Sequence, residues 1–259
     1  MIKTEQTVAS IGLSAPTTQM KWLEFSTHSS IQGLIAGVDE VGRGALFGPV
    51  VAAAVILPDS ALPELIAAKI KDSKKLSSSR RVRLAQQICA LAIDWKIGFA
   101  STAEIDQMNI LQATMLAMKR AVLKLKVQPA LCLIDGNQSV KDLPVAQQTI
   151  VKGDERSVAI ASASIVAKVW RDDLILRLAS KYSTYDLEHN KGYGSQRHLM
   201  ALQQYGPSPL HRTSFRPCQR TVLSSPERVS SHKQDKTDHL LDLTDEPMHT
   251  SFMKSLLAQ

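Results

Sequence analysis

The chain has 259 residues, 44% hydrophobic and only 5% aromatic, which suits one large domain, or one domain with a small appendage, and a mainly aliphatic core. Its formal charge is +7, and because residues 1–30 balance and 225–259 are net acidic, the basic surplus lies in 31–224, as expected for a polyanionic partner. Cys89, Cys132 and Cys218 form no C-x-x-C pair, and neither a leader pattern nor an apolar run of about 18 residues is present, so a zinc knuckle, a disulfide framework and a membrane span are excluded and a cytoplasmic, reducing setting is expected.

Residues 1–30 are rich in Ser, Thr and Gln without periodicity and read as a flexible extension. Leu34 to Asp39 and Pro49 to Leu57 are apolar runs of buried-strand character, joined through Gly42, Gly44 and Gly48. A polar, basic stretch over 71–79 follows, with Ser77 or Ser78 placed to cap a helix reaching Ile93. Trp95 to Ala100 reads as a strand, and Asn109 caps a helix through Leu125. Met108, Met115 and Met118 belong to the core there.

Pro129 breaks the chain before a strand over Ala130–Ile134 that ends at the turn Asp135-Gly136-Asn137. Gln147–Val151 is a further strand, ending at Lys152-Gly153-Asp154. Residues 155–181 form the longest helix, small-residue-rich at its start so that it can lie close to a sheet. Short helices and loops follow His189, and from Ser225 to residue 259 the chain is a polar, acidic tail expected to be disordered. The pattern is α/β: a catalytic-sized domain over 31–224 with a helical C-terminal part.

Four acids stand at strand ends or a helix start: Asp39, Glu40, Asp135 and Asp154. Strand ends are where sites collect in α/β sheets. Carboxylates gathered there repel one another and need cations, and all-oxygen ligands favour Mg²⁺ or Mn²⁺ over zinc. Adjacent strand residues point to opposite faces. Asp39 and Glu40 therefore both reach one site if the strand ends or bulges there; alternatively Glu40 offers its backbone carbonyl. His189, His198 and His211 lack metal-ligand spacing and read as structural or surface residues.

The stretch Ala36-Gly37-Val38-Asp39-Glu40-Val41-Gly42-Arg43-Gly44 resembles the opening motif of bacterial ribonuclease HII, the type 2 ribonuclease H family. The resemblance continues in order through Asp72-Ser73-Lys74-Lys75-Leu76, Leu133-Ile134-Asp135-Gly136-Asn137 and Val151-Lys152-Gly153-Asp154. It then takes in Ala161 to Lys168 with Arg171-Asp172, Lys191-Gly192-Tyr193-Gly194 and His211-Arg212-Thr213-Ser214-Phe215. Seven ordered blocks spread over 34–222 make it specific. Ala45 departs from a common proline, and Trp170 from a smaller residue.

The resemblance implies a ribonuclease H-like mixed sheet flanked by helices and a divalent metal centre, Mn²⁺ or Mg²⁺, at Asp39, Glu40, Asp135 and Asp154. It implies an endonuclease, a monomer, that cuts 5′ of ribonucleotides in RNA–DNA hybrids and of single ribonucleotides in duplex DNA, leaving 3′-hydroxyl and 5′-phosphate ends. Gly42, Arg43 and Gly44 would read the ribose, their backbone meeting the 2′-hydroxyl, with Arg43 also able to hold a phosphate. Tyr193 would pack on the next sugar, and Ser73, Lys74 and Lys75 would lie near the substrate backbone. Ser164, Lys168 and Arg171 share one helix face. The two cations either balance the acids and bind phosphate or form surface ion pairs with Asp172. A non-catalytic nucleic-acid binder is the competing reading, weakened because acids facing phosphates give a pure binder no advantage.

Overall fold

The computed structural model describes residues 33–70 and 76–219. The expectations for 1–30, for 225–259 and for Ser73, Lys74 and Lys75 lie outside the described residues. Five strands are present among them: β1 (Ile35–Val41), β2 (Val50–Ile56), β3 (Asp94–Ala100), β4 (Leu131–Asp135) and β5 (Ala146–Ile150). The helices are α1 (Leu62–Ala67), α2 (Ser78–Leu91), α3 (Thr102–Met108), α4 (Ile110–Leu123), α5 (Val158–Ala179), α6 (Leu187–Asn190) and α7 (Gln196–Tyr205).

The sheet runs β3-β2-β1-β4-β5, with β1, β2 and β3 antiparallel in sequence and β4 and β5 added parallel to β1. β1 thus sits at the centre, between an antiparallel and a parallel neighbour. The run Val-Val-Ala-Ala-Ala-Val-Ile of β2 is buried at every position, as a strand covered on both faces must be.

Helices cover both faces. Ala36, Val38, Ala52 and Ala54 point to one side and pack with Ala113, Ala117 and Ala121 of α4. Ala53 and Val55, of opposite parity, pack with α5 and, beyond it, α2. Two glycines set the helix-to-sheet spacing. A Cβ on Gly37 would lie 2.1 Å from the carbonyl carbon of Ala159 in α5, and one on Gly98 2.1 Å from the carbonyl oxygen of Ala117 in α4. The alanine- and serine-rich start of α5 is what lets its backbone come so near β1, and the helix is buried almost all round.

Local signals act as expected at several boundaries. Ser77 caps α2 by accepting from the Arg80 amide, and Asn109 caps α4 by accepting from Leu111 and Gln112. Ahead of Asn109 the structure adds α3, which the sequence reading passed over; it starts in a reciprocal cap between Ser101 and Glu104. Met118 is fully buried, with Met108 and Met115 packed against the same cluster. Trp170 finds room by stacking on Phe99, ring centroids 6.3 Å apart. Cys132 and Cys218 are buried and Cys89 partly so, each thiol pushed up to about 12 by burial. No helix among the described residues is long and apolar enough to cross a membrane.

Candidate active site

β1 and β4 run parallel with Val38 level with Ile134, so Asp39 and Asp135 come next in register at the ends of neighbouring strands. By parity both belong to the face that α5 covers. Oxygens of Asp39, Glu40 and Asp135 all lie within 4.8 Å of one another. The strand neither ends nor bulges at Glu40: β1 runs to Val41 in unbroken register with β2. Glu40 instead reaches its neighbours from near the strand's end with a side chain one methylene longer than aspartate, and its amide donates to Asp39 Oδ1 at 2.6 Å.

Asp39 is 5% exposed. Burial, then the charges of Glu40 and Asp135, holds its carboxyl well above the usual range, against hydrogen bonds from Ser164 and the Glu40 amide. Burial also raises Glu40, opposed by Arg43, whose Nη1 lies 3.3 Å from Glu40 Oε1. Three crowded carboxylates, two of them reluctant to ionise, form a donor set made only of hard oxygens. That set fits a divalent cation of the magnesium or manganese kind and does not fit zinc.

Asp154 is placed differently from the other three. It sits on the short turn Gly153–Glu155 that leads from β5 into α5. The Gly153 amide donates to Asp135 Oδ1 at 2.6 Å, so the turn is tied to the cluster. The Asp154 carboxylate itself is outside the set of three within 4.8 Å.

Beside the acids an open cavity of about 270 Å³ is lined by Glu40, Val41, Arg81, Ser164, Ile165, Lys168 and Tyr193. Ser164 thus faces both Asp39 and the cavity. Lys168 bonds Asp172 at 2.7 Å, the ion pair considered as an alternative above, while its Nζ stays 5.7 Å from the Tyr193 ring.

Arg171 corrects the sequence reading. It is 0% exposed, and its guanidinium donates to three backbone carbonyls, those of Pro49, Lys191 and Phe47, at 2.9 to 3.1 Å. With its nitrogens committed to backbone it is neither a phosphate ligand nor a surface partner of Asp172; it holds loops together. The same side chain explains Gly42, which has φ 88° and whose added Cβ would meet Arg171 Nε at 2.2 Å. A Cβ added at Gly44 would meet nothing within 4 Å.

The Gly42–Gly44 loop and Tyr193 are joined through Gly192, whose carbonyl accepts from the Leu46 and Phe47 amides at 2.8 and 3.2 Å. Arg171 lies 5.4 Å from the Tyr193 ring. A second buried arginine, Arg212, donates to the carbonyls of Arg43 (2.8 Å) and Gly48 (3.0 Å). His198 and His211 are fully buried and bonded to each other at 2.9 Å, while His189 is exposed and bonded to Asp186. Sequence reasoning assigned no site role to Arg81, Arg212, His198 or His211. His211 and Arg212 stood inside a recognised block, and that was the signal available for them.

Comparison with known proteins places this geometry. The family model for ribonuclease HII matches residues 36–218. A ribonuclease HII from Nostoc sp. (strain PCC 7120) is 70% identical over 220 residues, covering 85% of this chain and 98% of the relative. One from Trichodesmium erythraeum is 59% identical over 205 residues, 78% of this chain and 97% of the relative. Among solved structures, the ribonuclease H2 from Pyrococcus horikoshii OT3 superposes with a TM-score of 0.66 at 25% identity, covering 75% of this chain and 99% of that one.

Proposed function

Since the chain belongs to the ribonuclease HII family and is therefore an endonuclease of RNA–DNA hybrids, we propose that it also cuts duplex DNA at single embedded ribonucleotides. Cleavage falls 5′ of the ribonucleotide and leaves 3′-hydroxyl and 5′-phosphate ends. The observation that carries the reading is the meeting of Asp39, Glu40 and Asp135 within 4.8 Å, next to a glycine loop whose following residues Leu46 and Phe47 bond Gly192, the neighbour of Tyr193.

In this reading Asp39, Glu40 and Asp135 hold the divalent metal, with Asp154 joining from the turn that Gly153 ties to Asp135. The metal, when bound, supplies charge for the phosphate and a water more acidic than bulk. Mg²⁺ and Mn²⁺ both suit the donor set. Asp39 and Glu40, which burial and mutual repulsion hold towards the protonated form, would be the carboxylates that gain most from a bound cation. Ser164 fixes Asp39 through its hydroxyl. The Gly42–Gly44 backbone faces the 2′-hydroxyl, the feature that separates RNA from DNA. Arg43, half exposed beside Glu40, is placed to meet a phosphate. Tyr193 packs on the following sugar, with Lys168 beside it at the cavity. All these groups come from one chain, which supports a monomer as the working unit.

The end chemistry is tested with the cut duplex itself. A polymerase should extend the upstream fragment and a ligase should accept the downstream one. Fragments blocked at the 3′ end by phosphate would refute hydrolysis of this polarity.

A further inference from the structure

Residues 210–212 lie against the segment that follows the glycine loop. The Gly48 amide donates to Leu210, the Arg212 amide donates to Leu46 at 2.9 Å, and Phe47 and His211 form a bridge pair. From this short contact two neighbouring side chains reach in two directions. Arg212 Nη1 donates to the Arg43 carbonyl at 2.8 Å. His211 Nε2 lies 2.9 Å from His198 Nε2, and His198 Nδ1 lies 2.9 Å from the Tyr193 carbonyl.

The proton order in this relay is dictated by its ends. The Ser208 amide donates into His211 Nδ1 at 2.9 Å, so the His211 proton is on Nε2. It is donated to His198 Nε2, which leaves the His198 proton on Nδ1, aimed at the Tyr193 carbonyl. Both rings are neutral, and His211 Nδ1 meets the Ser208 hydroxyl at 2.8 Å as well as the Ser208 amide. Burial agrees, holding both below the ordinary histidine range, His211 at about 3. His198, His211 and Arg212 are each 0% exposed, so they act on a duplex only through other residues.

We propose that His211 and Arg212 form one bracket, completed by His198, that fixes the Gly42–Gly44 loop and Tyr193 at a set separation and so serves as a positioning device for ribonucleotide selectivity. This rests on the reading above that the loop and Tyr193 contact the sugars at the cut. The sugar after the cut ribonucleotide is deoxyribose in a duplex with one ribonucleotide and ribose in a continuous hybrid. A displaced Tyr193 therefore affects the two substrates unequally.

Two amides separate the arms of the relay. His198→Asn places its NH₂ where Nδ1 was and keeps the donor to Tyr193. His198→Gln places its carbonyl oxygen where Nε2 was, accepting from His211 Nε2 and losing the contact with Tyr193. We expect His198→Gln to lower kcat/KM on the single-ribonucleotide duplex about tenfold relative to the hybrid, the effect of one buried hydrogen bond. The loss should fall mostly on KM, since sugar packing is made before and during the reaction. His198→Asn should recover to within about threefold. Equal losses for both variants on both substrates, or none for His198→Gln, would overturn the bracket. Tyr193→Ala separates the two levels: if it leaves the substrate ratio unchanged, the reading surface itself is wrong, whereas a changed ratio with a silent His198→Gln removes the bracket alone. Ring nitrogen NMR of the unmodified protein gives a check independent of variant folding. Protons on His211 Nε2 and His198 Nδ1 support the relay, and the opposite tautomer at either ring refutes it.

Discussion

Asp135→Asn isolates the charge of one member of the carboxylate cluster while keeping its shape. The asparagine oxygen can still accept from the Gly153 amide, now 2.6 Å from Asp135 Oδ1, so the turn into α5 stays tied. What is lost is repulsion. Two full charges at the 4.8 Å spacing of the cluster repel by about 3.5 kcal/mol at an effective dielectric near 20. Asp135 is only half-buried, so screening reduces the gain to about 1 kcal/mol. Without metal, the variant should melt about 2–4 °C higher than the parent. With Mn²⁺ at roughly a hundredfold over its dissociation constant the parent should gain about 2.7 kcal/mol, and the variant less than half of that. Cleavage of a hybrid should fall by more than about a hundredfold, beyond the loss typical of a residue that only supports a ligand. Scanning calorimetry with EDTA and with Mn²⁺, alongside the cleavage rate, makes the test. A variant that melts lower without metal, gains as much with it and still cuts would refute the cluster as a metal site.

Other predictions draw on different parts of the molecule. His211 is held at about 3, below its ordinary 6.5. Below pH 6.5 the unfolded chain therefore binds a proton that the folded one refuses, and stability falls towards pH 3 at up to about 1.4 kcal/mol per pH unit from this group. Asp39 and Glu40, raised instead, act with the opposite sign in parent and variant alike and cancel from the difference. His211→Gln should remove this fall, so that the parent loses stability relative to the variant as pH drops through that window in urea titrations; parallel curves would remove His211 as the source. Gly37→Ala puts a Cβ 2.1 Å from the backbone of Ala159 and should destabilise by at least about 2 kcal/mol, whereas Gly44→Ala, with nothing within 4 Å, should leave the midpoint near that of the parent. Equal midpoints for the two variants would show that α5 can shift away from β1.

Much of this was legible in the chain because the signals are local or periodic. The apolar runs that became β1 and β4 lead into acids, and sheet order then set Asp39 level with Asp135. Ser77 and Asn109 announced helix starts by side-chain chemistry that acts within three residues. The long-range ties left no such trace. Arg171 reaches carbonyls 122 and 124 residues away, and Arg212 reaches one 169 residues away. A side chain bonded to distant backbone imposes no spacing on its neighbours, so Arg171 looked like a surface cation on the face shared with Lys168. The histidine relay was hidden for the same reason, since Tyr193, His198 and Ser208 meet only after α7 has folded over the 206–212 loop. The motif placed Asp154 beside Asp135 in the chain's order of blocks, and the turn that carries it is tied to Asp135 through the Gly153 amide.

In the proposed activity a carboxylate-held metal and a ribose-reading loop work on one sugar. The most direct test is an end-labelled DNA duplex containing one ribonucleotide, incubated with Mg²⁺, Mn²⁺ or EDTA. A single cut 5′ of the ribonucleotide, present with either metal and absent with EDTA, is the predicted result. An intact duplex beside a cleaved continuous hybrid would contradict the roles given to Gly42, Arg43, Gly44 and Tyr193, and cleavage in EDTA would contradict the metal centre.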